Sequence, residues 1–517
     1  MESPQEETTS VHQIALNNPI ILTEILKKSS TPLKTCRLVC KFWNEMVLSL
    51  QNPRLALNLA KQDDDFTCDP VPFFALCYKM DDRLAKWVST WSDLPEDEME
   101  ISGASQAKLM HLCDKFGDLV EILDVIIHDE EDYLNSIHLI LQNCCPNLKR
   151  LRISSPFTNL YYHNYKKILE GLPPKVNLTF FSVTSKLVTP FLTNFVQEVV
   201  NAAPNLAEVT IPWKVFPDLA NSKRIHSLTI ALDGVRPDDI FQADDKLSQL
   251  EKILAQVGDQ LVTLRFGSVT DKAVIPTGFN SFKYSGFNLP KKMSKLQYFR
   301  NHMVDIFECG DFLQNTKSLK TLVLGKAFTW LKSLDEILKN IFAKKKIFGN
   351  GTSLTLREIH DLRLFDGLKA AFPNLERLAL DTYGETDWRG RVSEMELDVV
   401  LRACVGWKSL KHLDLALPTF PEEIAYVIHD LLYAGDLYKR LKTLQIMGHR
   451  EILRCTLTDE ELEKFKQVIV ALDAVEDKVI IDNFSFGQES VSNIKDFIRA
   501  NKMNLPKFAI FLGGSLS

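Results

Sequence analysis

His128, Asp129, Glu130, Glu131 and Asp132 run consecutively and gather the imidazole and carboxylate donors that hold a divalent cation or move a proton. They directly follow an apolar run, VEILDVII, and a solvated acidic turn explains such a cluster without any ligand. A second group is cationic. Lys149, Arg150, Arg152, Arg265, Lys320, Arg377, Lys411 and Lys442 recur at the variable positions of a repeated apolar pattern, against Glu208, Glu376 and Asp414 in the same eight copies, those beginning at Leu148, Leu206, Ile225, Leu261, Leu319, Leu375, Leu410 and Leu441. Cations in that arrangement offer charge-assisted hydrogen bonds to an acidic or phosphorylated segment. Exposed strands carry Lys and Arg in any case, so a plain solvated face stays open beside that reading.

Other chemistry finds little footing. The chain has no G-x-x-x-x-G-K, G-x-S-x-G or H-E-x-x-H stretch, so no motif pairs a nucleophile with a base or cradles a phosphate. Gly349 and Gly351 lack a third glycine, and Lys344 to Lys346 is a short basic run at an expected helix end. The ten cysteines include the adjacent pair Cys144 and Cys145, with Cys36 and Cys40 expected on one helix face, but none takes zinc-ligand spacing. Free thiols in a reducing compartment are expected. A net charge of -6 argues against nucleic acid as partner. No apolar run approaches a membrane span, and the start, MESPQEETTS, is unlike a secretion signal. The expectation is an intracellular protein, cytoplasmic or nuclear, in which the N-x-S/T matches at Asn177, Asn350 and Asn483 are fortuitous. No cofactor and no metal are expected.

The elements that must position the cations form a repeat. An apolar residue, two variable ones, an apolar, a variable and an apolar return as LKRLRI from Leu148, LAEVTI from Leu206, LKTLVL from Leu319, LERLAL from Leu375, LKHLDL from Leu410 and LKTLQI from Leu441. Weaker copies begin at Val120, Leu178, Ile225 and Leu261. Starts at 120, 148, 178 and 206 are 28, 30 and 28 residues apart, which is the strand signature of leucine-rich repeats. Between strands the period becomes helical: FLTNFVQEVVNAA puts Phe191, Phe195 and Val199 on one face, and LDEILKNIF, MELDVVLRAC and EEIAYVIHDLL behave likewise. Neither half of such a unit buries its apolar face alone, so stacked units are expected to form an α/β solenoid with inner parallel strands and outer helices. Residues 275–365 break the pattern. LAKWVSTW reads as a capping strand at the front, KFAIFLGG as one at the end.

Ahead of the repeat, Pro19 to Trp43 reads PIILTEILKKSSTPLKTCRLVCKFW. Leu22, Ile25 and Leu26 fall at i, i+3, i+4; Leu33, Cys36, Val39, Cys40 and Trp43 recur at helical spacing after Pro32, which suits a first turn. So small a helical unit buries too little to be stable alone, and is expected to complete its burial against a partner or the adjoining domain.

The run LKTCRLVCKFWNEMV resembles the second half of an F-box, with its Leu, Arg, Val-Cys and Trp in order; Pro19 and the Leu22 face match the first half less closely. Ile21 stands where an acidic residue is common, and the Pro19-to-Leu33 spacing is short. F-box plus leucine-rich repeats implies a non-catalytic substrate receptor of a cullin-based, SCF-type ubiquitin ligase. By that resemblance, Pro19, Leu22, Ile25, Leu26, Leu33, Val39, Cys40 and Trp43 would bind the Skp-type adaptor, and through it the cullin, while the concave strand face holds a target protein. The expected organisation is a disordered tail over 1–15, F-box helices over 16–55, a connecting region and cap over 56–118, and the solenoid with its end cap over 119–517. A scaffold without a ligase, and an enzyme using Asp129 and Glu131, are the competing readings.

Overall fold

Each apolar triplet of the repeat goes inside. Leu148, Leu151 and Ile153 are fully buried, as are Leu261, Leu264 and Phe266, while the residues between them stay accessible. That alternation is what a strand with one covered face requires. The protein, as a computed structural model, is described over residues 15–28, 32–50, 55–59, 71–90, 103–127, 130–155, 169–232, 244–267, 287–288, 293–302, 307–308, 316–325, 334–343, 347–357, 359–381, 395–417, 424–448, 453–455, 457–482 and 484–510, in two units, 1–225 and 226–517. Residues 1–14, His128, Asp129, Lys344 to Lys346 and Asn483 lie outside the described residues.

In the first unit, β1 (Leu57–Asn58), β2 (Trp87–Ser89), β3 (Ile122–Ile126), β4 (Arg150–Ser155), β5 (Phe180–Ser185) and β6 (Glu208–Pro212) pair in sequence order, all parallel. LAKWVSTW supplies β2, next to the first repeat strand. The second unit holds β7 (Ser227–Ala231), β8 (Thr263–Gly267), β9 (Phe287–Asn288), β10 (Tyr298–Asn301), β11 (Phe307–Glu308), β12 (Thr321–Leu324), β13 (Ser353–Arg357), β14 (Arg377–Asp381), β15 (His412–Leu417), β16 (Thr443–Gly448), β17 (Leu453–Cys455), β18 (Lys478–Asp482), β19 (Phe484–Phe486) and β20 (Phe508–Ile510). Here β7, β8, β10, β12, β13, β14, β15, β16, β18 and β20 form the parallel sheet in that order, and β9–β11 and β17–β19 make two small pairs. Parallel neighbours need crossovers, and amphipathic helices supply many of them. Helix Pro190–Ala202 buries Phe191, Leu192, Phe195, Val196 and Val199; Thr189 caps it by accepting from the Leu192 N–H at 3.1 Å. Helix Asp459–Leu472 opens with a reciprocal Thr458–Glu461 capping box.

The stretch 275–365 is more regular than its sequence suggests. β10, β12 and β13 continue one register, with Phe299, Leu322 and Leu354 aligned. The pattern is obscured because Asn301 takes the third apolar place, fully buried, and Gly351 takes the first place in its unit. A Cβ at Gly351 would lie 2.8 Å from the Phe372 ring, which stacks on Phe348 at 4.7 Å between centroids.

Polar ladders fasten one turn to the next. In the turns ahead of the strands, the Asn147, Asn177 and Asn205 side-chain amides donate to the carbonyls of Asp118, Pro146 and Val176, and Asn350 and Asn374 to those of Lys317 and Gly349. Lys175, almost wholly buried, donates to the carbonyls of Cys144 and Cys145, and Lys507 to that of Asp473. The Cys144, Cys145 and Asp473 carbonyls lie just past the ends of helices Glu130–Asn143 and Asp459–Leu472, where such groups otherwise lack a partner. Two of the N-x-S/T asparagines, Asn177 and Asn350, thus serve the ladder.

Helix–helix fit yields a paired expectation. A Cβ on Gly367, within helix Leu364–Ala371, would sit 2.7 Å from the Phe342 ring, whereas Gly435 has nothing within 4 Å. Gly367→Ala is expected to destabilise by about 1–3 kcal/mol despite its better helix propensity. Gly435→Ala should stabilise by roughly 0.5–1 kcal/mol, and urea unfolding reads both.

Nearby, Asp335 is buried and accepts from the backbone N–H groups of His360 and Asp361, and burial pushes its carboxyl up. The Arg363 guanidinium, then the Lys339 ammonium, hold Asp361 well below the usual carboxylate range. A depressed carboxyl contributes stability above its unfolded pKa and loses it as pH falls through the folded one; the raised Asp335 works in the opposite sense. Asp361→Asn should therefore cost only about 1 kcal/mol at pH 7, Arg363 being largely exposed, and that deficit should close below about pH 4 in melts across pH.

At the front, α1 (Pro19–Lys28), α2 (Leu33–Cys36) and α3 (Lys41–Leu48) enclose one small core: Leu22, Leu26, Leu33, Cys36, Val47 and Leu50, with Phe42, Trp43, Met46 and Leu55 against it. The Leu33–Trp43 run is not one helix. It turns at Arg37–Val39, and Cys40 becomes the extended N-cap of α3, so Cys36 is buried while Cys40 is exposed. The Arg37 Nε donates to Asn44 Oδ1 at 2.8 Å across that turn.

Candidate functional site

Two surfaces of the first unit stand out, and each follows from how its element is built. Asn18 caps α1, its side-chain oxygen accepting from the N–H groups of Ile20 and Ile21 at 3.0 and 3.3 Å. With the helix started there, Leu22 and Leu26 point into the small core. Ile20, Ile21 and Ile25 are left 76%, 43% and 41% exposed, and Leu38 and Val39 in the turn before α3 are 82% and 59% exposed. Six of the seventeen exposed large apolar residues among those described fall between Leu16 and Val39. Lone exposed apolar side chains are ordinary, but such a concentration marks an interaction surface.

The candidates named from sequence therefore divide. Pro19, Ile25, Val39 and Cys40 are at the surface; Leu22, Leu26 and Leu33 are interior; Trp43 is half-buried against the core. Ile20, Ile21 and Leu38 were not singled out. The run PIIL held the signal, since four successive apolar residues on a helix span too wide an arc to face one core. Arg83 braces this part: its guanidinium meets Glu45 at 2.9 Å and Asp81 at 2.7 Å.

The second surface is the open face of the strands. Across β3 to β6 the outward rows are Ile122, Arg150, Phe180, Glu208 and Asp124, Arg152, Ser182, Thr210. Lys149, at the rim, pairs with Glu121 at 2.8 Å. Arg150 and Arg152 instead share one ring, their guanidinium carbons 4.4 and 5.8 Å from the Phe180 centroid. Asp124 lies beside Arg152 in register, but its Oδ2 accepts from the Trp87 indole at 2.8 Å.

In the second unit, Arg265 lies over Tyr298 at 5.0 Å, Lys411 pairs with Glu376 at 2.6 Å, and Lys442 with Glu476 at 3.5 Å. Arg377 is exposed beside His412, whose imidazole is held below its usual range first by burial and then by Arg377 and Lys442. Lys320 is exposed at the start of β12. Arg300, His302 and Arg357 lie on the strand face of the second unit, unanticipated; Arg300 donates to His302 at 3.1 Å, and Arg357 lies 3.7 Å from Asp381. His302 lies against Gly267, whose φ of +156° and a Cβ clash at 3.1 Å require glycine. Of the eight cations read from sequence, three are thus neutralised by carboxylates one repeat away.

Among the described residues no group of three or more His, Cys, Asp or Glu could hold a metal ion, and no helix is long and apolar enough to cross a membrane. The cysteines described, Cys36, Cys40, Cys77, Cys113, Cys144, Cys145 and Cys404, are free thiols. No family model matches the chain, and no curated protein matches it.

Proposed function

We propose that this chain is a non-catalytic substrate receptor of an SCF-type ubiquitin ligase, its front helices acting as an F-box and its strand face as the target-binding surface. The observation that supports the reading best is the apolar surface of Ile20, Ile21, Ile25, Leu38 and Val39, on helices whose own core is already filled by Leu22, Leu26, Leu33 and Val47. A fully exposed isoleucine gains about 1.5–3 kcal/mol when a partner covers it, and partly exposed ones gain in proportion to the area they still show to water. The receptor performs no bond chemistry; it raises the local concentration of target lysines near a ubiquitin-carrying enzyme. Arg83 ties α3 to the segment before β2 through Glu45 and Asp81.

Co-expression of the full chain with a Skp-type adaptor tests this, with co-purification of a one-to-one complex as the expected result. Failure of the folded chain to retain the adaptor would leave the second reading, an interaction scaffold without a ligase, to which the same strand face applies.

A further inference from the structure

The geometry points to Arg150, Arg152 and Phe180 as a subsite for a single phosphate monoester carried on a peptide segment. This rests on the strand face being a target surface, and names the chemistry it selects. The two guanidinium groups project from alternate positions of β4, hence from one face, and both lie against the same phenyl ring. Neither has a carboxylate within ion-pair distance among the described residues. The nearest in register are otherwise placed: Asp124 is drawn to the Trp87 indole, Glu121 to Lys149, and Glu208 lies on the strand beyond Phe180. The next stretch of chain, 156–168, contains no Asp or Glu.

Two like charges on one ring repel unless something anionic lies between them. A phosphate monoester carries close to two negative charges at neutral pH and three strong acceptor oxygens, matching two forked donors. The hydroxyl pair Thr184–Ser154, at 3.1 Å one row further along the same strands, adds donors on the same face. Phe180 removes freedom from both arginines before any ligand arrives, which reduces the ordering cost of binding.

The surroundings select a peptide over a polyanion. The basic island is about two residues wide and is flanked by carboxylates, Asp124 on one side and Glu208 on the other. A nucleic-acid backbone or anionic membrane needs a continuous basic track, and these carboxylates would repel its neighbouring charges. Ile122 and Phe180, in the row of Arg150, offer apolar contact to side chains flanking one phosphate.

The test uses the purified full chain and three labelled degenerate peptide pools with a fixed central phosphoserine, serine or glutamate, read by fluorescence anisotropy. Selective retention of the phosphoserine pool is expected, weakened roughly tenfold for each arginine lost in Arg150→Gln and Arg152→Gln. Arg150→Lys/Arg152→Lys should recover only part of it, because lysine keeps the charge but not the fork. Arg377→Gln, in the other unit, should leave it unchanged, and thermal melts check that each variant is folded. Equal retention of all three pools overturns the assignment, as does a uridine homopolymer binding as tightly through the same arginines. Binding that emerges only after Asp129→Asn/Glu130→Gln/Glu131→Gln also overturns it, since the arginines would then serve the chain's own acidic stretch. Because no adaptor is present, loss of this result and loss of adaptor capture are separate outcomes: each proposal can fail while the other stands.

Discussion

A chain carrying Ile20→Asp and Leu38→Asp is expected to lose the Skp-type adaptor by about a thousandfold while melting where the unaltered chain melts. Both side chains already face water, at 76% and 82% exposure, so substitution costs the fold no more than about 0.5 kcal/mol. On an apolar interface each aspartate removes a buried anchor and leaves a desolvated carboxylate without a partner. The interior gives the opposite pattern. Leu22→Ala and Leu26→Ala, at 0% and 1% exposure, should each cost about 2–5 kcal/mol of a small core, and capture should fall only as folded protein is lost. Paired melts and pull-downs on the three variants separate the two patterns. Undiminished capture by the aspartate variant would remove the main support for the ligase reading.

The same distinction marks how far the sequence could be read. Spacing alone grouped Leu22 with Ile25 and Leu26, because i, i+3 and i+4 lie on one side of a helix. Yet the inward direction is set by where Asn18 starts α1 and where Val47 and Leu50 pack, and Ile25 falls outside that arc. Val39 and Cys40 kept helical spacing across a turn that leaves no continuous helix. In the body, triplets such as Leu375, Leu378 and Leu380 were legible because burial at 0–1% exposure tolerates little but aliphatic side chains there. The units starting at Leu296 and Gly351 were not, since Asn301 and Gly351 fill core positions through the packing of other chain segments. The charges of the open face were half legible. Alternation places Lys149, Lys411 and Lys442 correctly at the surface, but their partners Glu121, Glu376 and Glu476 are set by strand pairing some 30 residues away along the chain. A count of charges along one strand cannot see that neutralisation.

Phe181→Ala is expected to cost about 3–5 kcal/mol of stability, and the residue beside it should behave in the opposite way. Phe181 is fully buried between Leu151 of β4 and Val209 of β6, both nearly or wholly inaccessible, in a row that runs through Val88 and Leu123. Truncation there opens a cavity lined from two neighbouring strands. Within β1 to β6 each strand pairs with its neighbours in sequence, so no distant element closes over it. Phe180 points to the other side, half-exposed, and its ring carries Arg150 and Arg152. Phe180→Ala should cost roughly 1 kcal/mol or less in urea unfolding, the scale of an exposed cross-strand and cation–π contact. It should nevertheless weaken retention of the phosphoserine pool, because both guanidinium groups lose their support. Adjacent residues on one strand would then divide the work, one face holding the fold and the other choosing the ligand. Similar stability losses at the two positions would mean that β5 is covered on both sides, leaving no open face for a target.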